Sequence, residues 1–575
     1  MHPISERDWR MRQAEPEVVE TLRLSGIPKL LARLLANRGV RDPREALCYL
    51  NPTLSSLPDP LLLSGMEVSV ERLRLALSRG ERVCVHGDYD VDGVSSVALL
   101  ISFFRAVGID CFSYIPKRLS EGYGLSPQGV SAARERGATV MVTVDCGISS
   151  VAEALLCREA GIDLIITDHH APPETLPDAF AVINPLLPGC RYPFKSLAGV
   201  GVAFNLVIAL RARLRAQGCF PDGEPDLREY LDLVALGTVA DVVPLLGANR
   251  VLVAYGLKEL TTSTRPGVRA LMEVAGVSGE VGCGAVGFRL APRINAAGRL
   301  EDAALGLELL LTADGAKAKE IAAALDDSNA ERQSLERATL EEARVMLEAG
   351  ACRGRSSIVL GSELWHPGVI GIVASRIAEL FHRPVILFAF EGGTGRGSGR
   401  SIARFHLLDA IRSCAGHLLR YGGHSHAAGL SIAREELERF TLSFDAAAAG
   451  ALDADALTPS TAYDLELDVA QIDMALPAEL ERMKPFGMGN PEPLFLLRDA
   501  TVSACRVLKG AHLKLSLACG GRSFDAIGFG LADKGIREGR VDLLFSPGIN
   551  VWNGKSSLQL IVKDLRARGV EEGAC

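Results

Sequence analysis

The 575-residue chain has no Cys-x-x-Cys pair, no long apolar run free of charge and no excess of basic residues. Each absence excludes something. The thirteen cysteines are scattered, and several, such as Cys84 and Cys146, fall in apolar runs. They read as reduced, buried thiols of a cytoplasmic protein, not as zinc ligands or a disulfide framework. Without about 18 apolar residues in a row there is no expected membrane span. The opening Met-His-Pro-Ile-Ser-Glu-Arg-Asp-Trp-Arg lacks the apolar core of a signal peptide. A net charge of −8 argues against a surface that coats nucleic acid, but leaves room for a local basic groove. Bound divalent ions would offset part of that negative charge.

What is present is an ordinary folded composition, 48% apolar and 23% charged, at a length that suggests three or four domains. Residues 1–65 read as short helices broken by Asn51-Pro52 and Pro58-Asp59-Pro60, an N-terminal helical cap. From Met66 strands alternate with helices of 10–15 residues: strand 82–86, helix 94–107, strand 111–115, strand 140–144, helix 149–160, strand 164–167. This rhythm predicts βαβ units and a mainly parallel sheet over 66–312. A charged stretch poor in Gly and Pro, 313–352, predicts a long connecting helix. A second α/β unit is expected at 353–455. From 456 to 575 the period changes to two, with six short strands, which predicts an all-β barrel of the OB type.

The first strand, 82–86, leads into His86-Gly-Asp88-Tyr-Asp90-Val-Asp92-Gly93. Three carboxylates so close repel one another unless cations neutralise them. The bland reading is a solvated acidic turn, and a lone Asp-x-Asp-x-Asp-Gly carries a high false-positive rate. A calcium loop would place a glutamate six residues beyond the Gly, where Leu99 stands. The preceding imidazole points to a transition metal.

The next strands also end in ionisable groups, Asp145 after 140–144 and Asp168-His169-His170 after 164–167. Parallel strands present their carboxyl ends on one sheet edge, where ligands bind in open α/β folds. One buried His is usually a satisfied core residue and one Asp a helix cap; three strand ends with such residues are harder to explain structurally. Asp241, inside the apolar Leu236–Pro244 stretch, must be paired or coordinated, because burying a lone carboxylate is costly.

In that order, His-Gly-Asp-Tyr-Asp-Val-Asp-Gly, Val-Asp145-Cys-Gly, Asp168-His-His and Gly-Thr-Val-Ala-Asp241 resemble the motifs of the DHH phosphoesterases. Within that family the likeness is to bacterial exonucleases specific for single-stranded DNA. Arg293-Ile-Asn-Ala-Ala-Gly-Arg299, Trp365-His-Pro-Gly-Val-Ile-Gly, Gly397-Ser-Gly-Arg-Ser401 and Gly422-Gly-His-Ser-His-Ala-Ala-Gly429 extend it toward the C-terminus. The resemblance implies two Mn²⁺ ions, with Mg²⁺ as a substitute: His86, Asp90 and Asp145 on one, Asp92, Asp145, His169 and Asp241 on the other. It implies that Asp168 orients an imidazole, that His170 faces the scissile phosphate and that Asp88 supports the loop.

It further implies 5′→3′ hydrolysis to mononucleotides in DNA recombination and repair. Arg118, Tyr123, Ser398 and Arg400 would engage the 5′-terminal nucleotide; Arg293, Arg299 and the backbone approach at Gly422, Gly423 and His424 would contact the strand. A monomer is expected, with a single-strand-binding protein and a RecQ-like helicase as collaborators. Without the resemblance, Arg118 and Tyr123 would read nearly as well as surface-loop residues. The Gly-rich run 393–401 would more often be a flexible loop, and it lacks the Gly-Lys-Ser/Thr of a P-loop. In the barrel, Lys509, His512, Lys514 and Trp552 are the residues to watch for a bound strand. Two alternatives stand beside this reading. A phosphodiesterase of dinucleotides or nucleotide phosphates would share every ligand but needs no strand-binding barrel. A metal-free binding scaffold should have lost ligands, and none is lost.

Overall fold

Apolar runs without polar alternation suit strands covered on both faces. In the computed structural model, which describes residues 7–568 apart from 119, 222, 301 and 302, five such runs pair side by side. They are β1 (Arg82–Gly87), β2 (Cys111–Tyr114), β3 (Ala138–Val144), β4 (Asp163–Thr167) and β5 (Ala181–Ile183). Their order is β2-β1-β3-β4-β5 and every neighbouring pair is parallel. The short β5 was not foreseen from the sequence. Val83, Val85, Val140, Val142 and Ile165 pack into a core on one face, and Cys84, Met141, Leu164 and Ile166 into a core on the other.

Helix α1 (Val91–Ala106) follows β1 and is buried nearly all round. It packs against α2 (Gly199–Ala216) and α3 (Leu231–Ala240), which is why its sequence is apolar on every face. Leu99, fully buried there, would cost about 2–5 kcal/mol if cut to Ala. Further on are α4 (Gly247–Thr261), α5 (Ala291–Leu300), preceded by a wide turn of π type over Val286–Leu290, and α6 (Gly315–Glu348).

The described chain forms two compact units. One holds Asp42–Ala330 together with Arg482–Pro491; the other holds the residues before Asp42, Glu331–Glu481 and those from Glu492 onward. The expected cap over 1–65 is therefore not one piece, since it divides between the units after Arg41. Its residues 1–6, residues 569–575 of the expected barrel region and Leu119 of the loop after β2 lie outside the described residues.

The second unit has two sheets of functional interest. β6 (Ile358–Ser362), β7 (Val385–Glu391), β8 (Thr394–Arg400), β9 (Arg420–Gly423) and β10 (Ala427–Ala433) form a mixed sheet in the order β9-β10-β8-β7-β6, with α7 (Ile370–Phe381) packed on β7 and β8. Here only β6 and β7 are parallel to each other. Then β11 (Phe495–Leu508), β12 (His512–Cys519), β13 (Arg522–Gly528), β14 (Gly539–Trp552) and β15 (Lys555–Ala567) pair as β11-β12-β13-β15-β14, and β14 returns to β11. This closed five-stranded barrel leaves no open edge.

Candidate metal centre

The carboxyl ends of β1, β3 and β4 lie together where the strand order reverses between β1 and β3, the position at which open α/β sheets bind ligands. Asp90 caps α1, its Oδ1 accepting the N–H groups of Asp92 and Gly93 at 2.9 and 3.1 Å. Asp92 is buried inside the first turn and accepts the N–H groups of Gly199 and Val200 at 2.6 and 2.9 Å, from the start of α2. Asp145 follows β3 in the left-handed region, φ 59°. A non-glycine residue held there points to local strain around a functional group.

Among the described residues three groups of ligand atoms, each within 4.8 Å of one another, result: Asp92, His169 and Asp241; Asp88, Asp90 and Asp145; and Asp145, His169 and His170, which shares members with both. His169 Nε2 also stands 3.0 Å from Asp145 Oδ1, which brings the first two groups together. That approach lies outside hydrogen-bond geometry. His169 Nε2, Asp145 Oδ1, Asp241 Oδ2 and Asp88 Oδ1 are all buried with no hydrogen-bond partner. Buried lone pairs that converge without donors are costly, and a divalent cation satisfies them. The mixed imidazole and carboxylate donors fit Mn²⁺ and accept Mg²⁺.

Electrostatics point the same way. Burial, with Asp90 close by, pushes Asp92 up to about 7. Burial and the charges of Asp92 and Asp90 lift Asp241 to about 9. Asp145 and Asp88 are raised well above the usual carboxylate range by burial and neighbouring aspartates. Burial holds His86 and His169 down to about 4, so both imidazoles are neutral at pH 7. Four carboxylates held toward their protonated forms by burial and mutual repulsion make an arrangement that divalent cations would stabilise.

The expected residues lie close together but are grouped differently: Asp145 joins His169 and His170, not the group of Asp92, His169 and Asp241. The group around Asp90 and Asp145 contains Asp88, where the sequence reading placed His86. His86 is fully buried on the Cys84 face of the sheet; its ring stacks on Tyr114 with centroids 5.3 Å apart, and its Nε2 has no hydrogen-bond partner. Asp168 accepts from the Ile148, His169 and His170 N–H groups and pairs with His170 Nδ1 at 2.7 Å. Burial opposes its ionisation, but the His170 hydrogen bond and charge hold Asp168 below its ordinary range. Burial lowers His170, and Asp168 more than offsets this, so His170 is raised.

Next to this centre, Tyr123 is exposed and its hydroxyl lies 3.1 Å from His170 Nδ1. Arg118 lies over the Tyr89 ring, 4.8 Å from its centroid. Tyr89 meets Tyr123 edge-on at 6.4 Å. Arg293 is taken up by Asp326 at 2.8 Å and by the Arg289 carbonyl. Its motif does structural service: Asn295 Oδ1 accepts the Val91 N–H, and a Cβ on Gly298 would fall 2.7 Å from the Tyr89 carbonyl, so α5 clamps the aspartate loop. Arg299 sits on the same helix, half-buried.

In the other unit, the register aligns Gly422, Gly429 and Ser398 in one row across β9, β10 and β8. Arg400 Nη1 donates to Ser398 Oγ at 3.1 Å, and both side chains face Gly371 at the start of α7, where a Cβ would meet Ser398 Oγ at 2.9 Å. Gly422, Gly423 and His424 are exposed. On the barrel, Trp552 is 73% exposed. Lys514 approaches Asp525 at 3.5 Å, and His512 accepts the Gly530 N–H.

The sequence reading missed the glycines that surround the ligands. A Cβ on Gly199 would meet Asp145 Oδ1 at 2.7 Å, one on Gly237 Asp92 Oδ1 at 2.8 Å, and one on Gly129 His86 Nε2 at 2.8 Å. A glycine inside an apolar helix, as at Gly237, was the available signal.

Comparison with known proteins follows the same division. A model described as the DHH family, N-terminal domain, matches residues 82–238; the DHHA1 domain matches 355–450; the RecJ OB domain matches 463–564. The single-stranded-DNA-specific exonuclease RecJ of Salmonella typhimurium is 42% identical over 585 residues, covering 97% of this chain and 99% of its own. That of Thermus thermophilus is 39% identical over 551 residues, covering 93% and 75%. The crystal structure of RecJ from Thermus thermophilus in complex with Mn²⁺ superposes with a TM-score of 0.83 at 36% identity, over 100% of this chain and 81% of that one. Its Mg²⁺ complex gives 0.78 at 34%, over 98% and 79%.

Proposed function

The chain belongs to the RecJ family of single-stranded-DNA-specific exonucleases, and on that premise we propose that it degrades single-stranded DNA from the 5′ end, releasing 5′ mononucleotides through a two-cation centre. The activity is metal-dependent hydrolysis of single-stranded DNA, with Mn²⁺ or Mg²⁺ as cofactor. The finer assignment gives one cation to Asp92, His169, Asp241 and Asp145, and the other to Asp90, Asp145 and Asp88, with His86 Nε2 as a further buried donor. The observation that carries it is the convergence of buried, hydrogen-bond-free donor atoms on Asp145, His169, Asp241 and Asp88.

Divalent cations held there would supply Lewis acidity, lowering the pKa of water so that hydroxide is available near neutral pH, and would offset charge on the phosphoryl group. The protein's own groups do the rest. Asp168 fixes His170 through Nδ1, which leaves Nε2 to donate to a phosphate oxygen as charge develops. Tyr123 offers a stacking face to the terminal base, and Arg118, braced on Tyr89, a bidentate phosphate contact. Ser398, Arg400 and the bare Gly422–Gly429 row suit close backbone approach of a strand. The barrel provides a longer strand-binding surface, which a dinucleotide would not use. Among the described residues no helix is long and apolar enough to cross a membrane, and the described cysteines are free thiols, which supports the cytoplasmic reading. The proposal includes a monomer that works beside a single-strand-binding protein and a RecQ-like helicase.

The test is hydrolysis of single-stranded oligonucleotides labelled at either end, with Mn²⁺, beside Asp145→Asn. Early release of the 5′-labelled mononucleotide, lost in the variant, is the expected result. Intact DNA with cleaved dinucleotide would replace the reading with a small-substrate phosphodiesterase, and binding without cleavage would replace it with a scaffold.

A further inference from the structure

We infer that Arg482–Pro491 is a positioning strap for the loop that carries Asp241, fastened by the buried side chain of Arg250. The inference rests on reading Asp241 as a metal ligand. Of the described residues after Ala330, only these ten belong to the unit that holds the candidate metal centre.

The strap lies against the residues just beyond Asp241. The Leu245 N–H donates to the Met488 carbonyl at 2.8 Å. A Cβ on Gly487 would fall 2.6 Å from Leu245 Cδ1, and one on Gly489 3.1 Å from Pro244 Cβ. Both glycines thus sit close against this stretch, and Gly489 holds a φ of 72° at which a side chain would be strained. The strap holds its own shape. Gly487 and Asn490 exchange backbone hydrogen bonds at 2.9 and 3.2 Å. The fully buried Asn490 amide donates to the Met483 and Pro485 carbonyls at 2.7 and 2.8 Å.

Arg250, 2% exposed, ties it down. Its guanidinium donates to the carbonyls of Lys484 at 2.6 Å, Arg482 and Pro485 at 3.4 Å and Tyr49 at 2.8 Å, and lies over the Tyr49 ring. The adjacent Asn249 donates to the Pro244 carbonyl at 3.0 Å and the Ser196 carbonyl at 2.6 Å. Ser196 leads into the start of α2, whose N–H groups hold Asp92. Two neighbouring side chains on α4 therefore fasten the surroundings of both Asp241 and Asp92. The loop needs such support: Val242, directly after Asp241, is 65% exposed and β-branched, yet sits at φ 62°. Released from Met488 it would relax and carry the Asp241 carboxylate away from His169.

The test is Mn²⁺ binding to the full chain, followed by calorimetric titration and by the electron paramagnetic resonance of free Mn²⁺, for Arg250→Met, Gly489→Ala, Arg250→Lys and Asp241→Asn. One of the two cations should bind about tenfold or more weakly in Arg250→Met and Gly489→Ala, with Arg250→Lys in between. The other cation should stay at wild-type affinity, and kcat should recover at high Mn²⁺ while the Mn²⁺ needed for half-activity rises. If Arg250→Met does not fold, Gly489→Ala decides alone. Both cations within twofold of wild type in Gly489→Ala, while Asp241→Asn weakens one, would overturn the strap and leave the metal centre standing. Unaltered Mn²⁺ binding in Asp241→Asn would overturn the ligand reading itself and the strap with it.

Discussion

The two five-stranded sheets present their polar groups in opposite ways. In the parallel sheet they are buried at strand ends, crowded with like charge and short of hydrogen-bond partners: Asp88, Asp145, His169 and Asp241. In the mixed sheet they stand along a strand, partly open to solvent, and already supported, as Arg400 is by Ser398. The first arrangement stores unfavourable electrostatics that a cation would relieve; the second would suit an anionic strand at little cost to folding. On the proposed function the parallel sheet holds the metal and the mixed sheet the phosphate, and the two roles can be broken separately.

The largest effect should come from Asp145→Asn. Asparagine tolerates the left-handed backbone at this position, so folding should survive while hydrolysis of labelled single-stranded DNA falls by more than about 10³-fold. Retained activity would mean that the parallel sheet is not the catalytic one. Arg400→Ala should act on the other side of the comparison, lowering kcat/KM about 10²-fold, mostly through KM, with Mn²⁺ affinity unchanged by titration. A lost cation in that variant would erase the division of labour.

Thermal stability should respond to the parallel sheet alone. Asp92 and Asp241, at about 7 and about 9 in the fold, keep protons that an unfolded chain releases near pH 4. The folded state thus binds more protons across that window, and the stability they contribute is lost as pH rises through 7 to 9. Protein stripped with EDTA should show a Tm that falls between pH 6 and 9. Mn²⁺ at about 100 times its Kd should add about 2.7 kcal/mol and flatten the decline, and Arg400→Ala should follow wild type in both conditions. A stripped protein whose Tm rises over that range would contradict the carboxylate assignments. The smallest effect is reserved for Gly422→Ala: a Cβ there meets nothing within 4 Å, so Tm should not move and single-strand affinity should drop only a few-fold in a fluorescence-anisotropy titration.

Much of this was legible because parallel sheets write themselves in runs. Four of the five strands and the residues at their ends followed from apolar stretches and the period of the helices between them. β5 was too short to stand out, and the five barrel strands were read shorter than they are, because bulged strands such as β11 and β14 break the alternation; a sixth expected strand shrinks to the pair Leu465–Glu466 beside the barrel. Ligand roles depend on side-chain direction, which spacing does not encode. His86 and Asp88 are two residues apart, yet only Asp88 joins Asp90 and Asp145 within ligand distance. Arg293 was read only as a strand contact, and its ion pair with Asp326 was not foreseen, because it joins residues far apart in sequence. The glycines against Asp145, Asp92 and His86 come from three different helices, so only the folded chain shows their shared purpose.

The placement of Arg482–Pro491 has a consequence for how the protein is made. Asp241 leaves the ribosome roughly 250 residues before Met488 does, a delay of about 10–50 s at ordinary elongation rates. Throughout that interval the nascent chain carries every proposed metal ligand but not the segment that lies against the residues just beyond Asp241. A chain released early, by a stalled ribosome or a damaged message, would leave that loop without its support. Synthesis itself would then delay the completion of a DNA-degrading centre until nearly all of the strand-gripping apparatus upstream of the barrel exists.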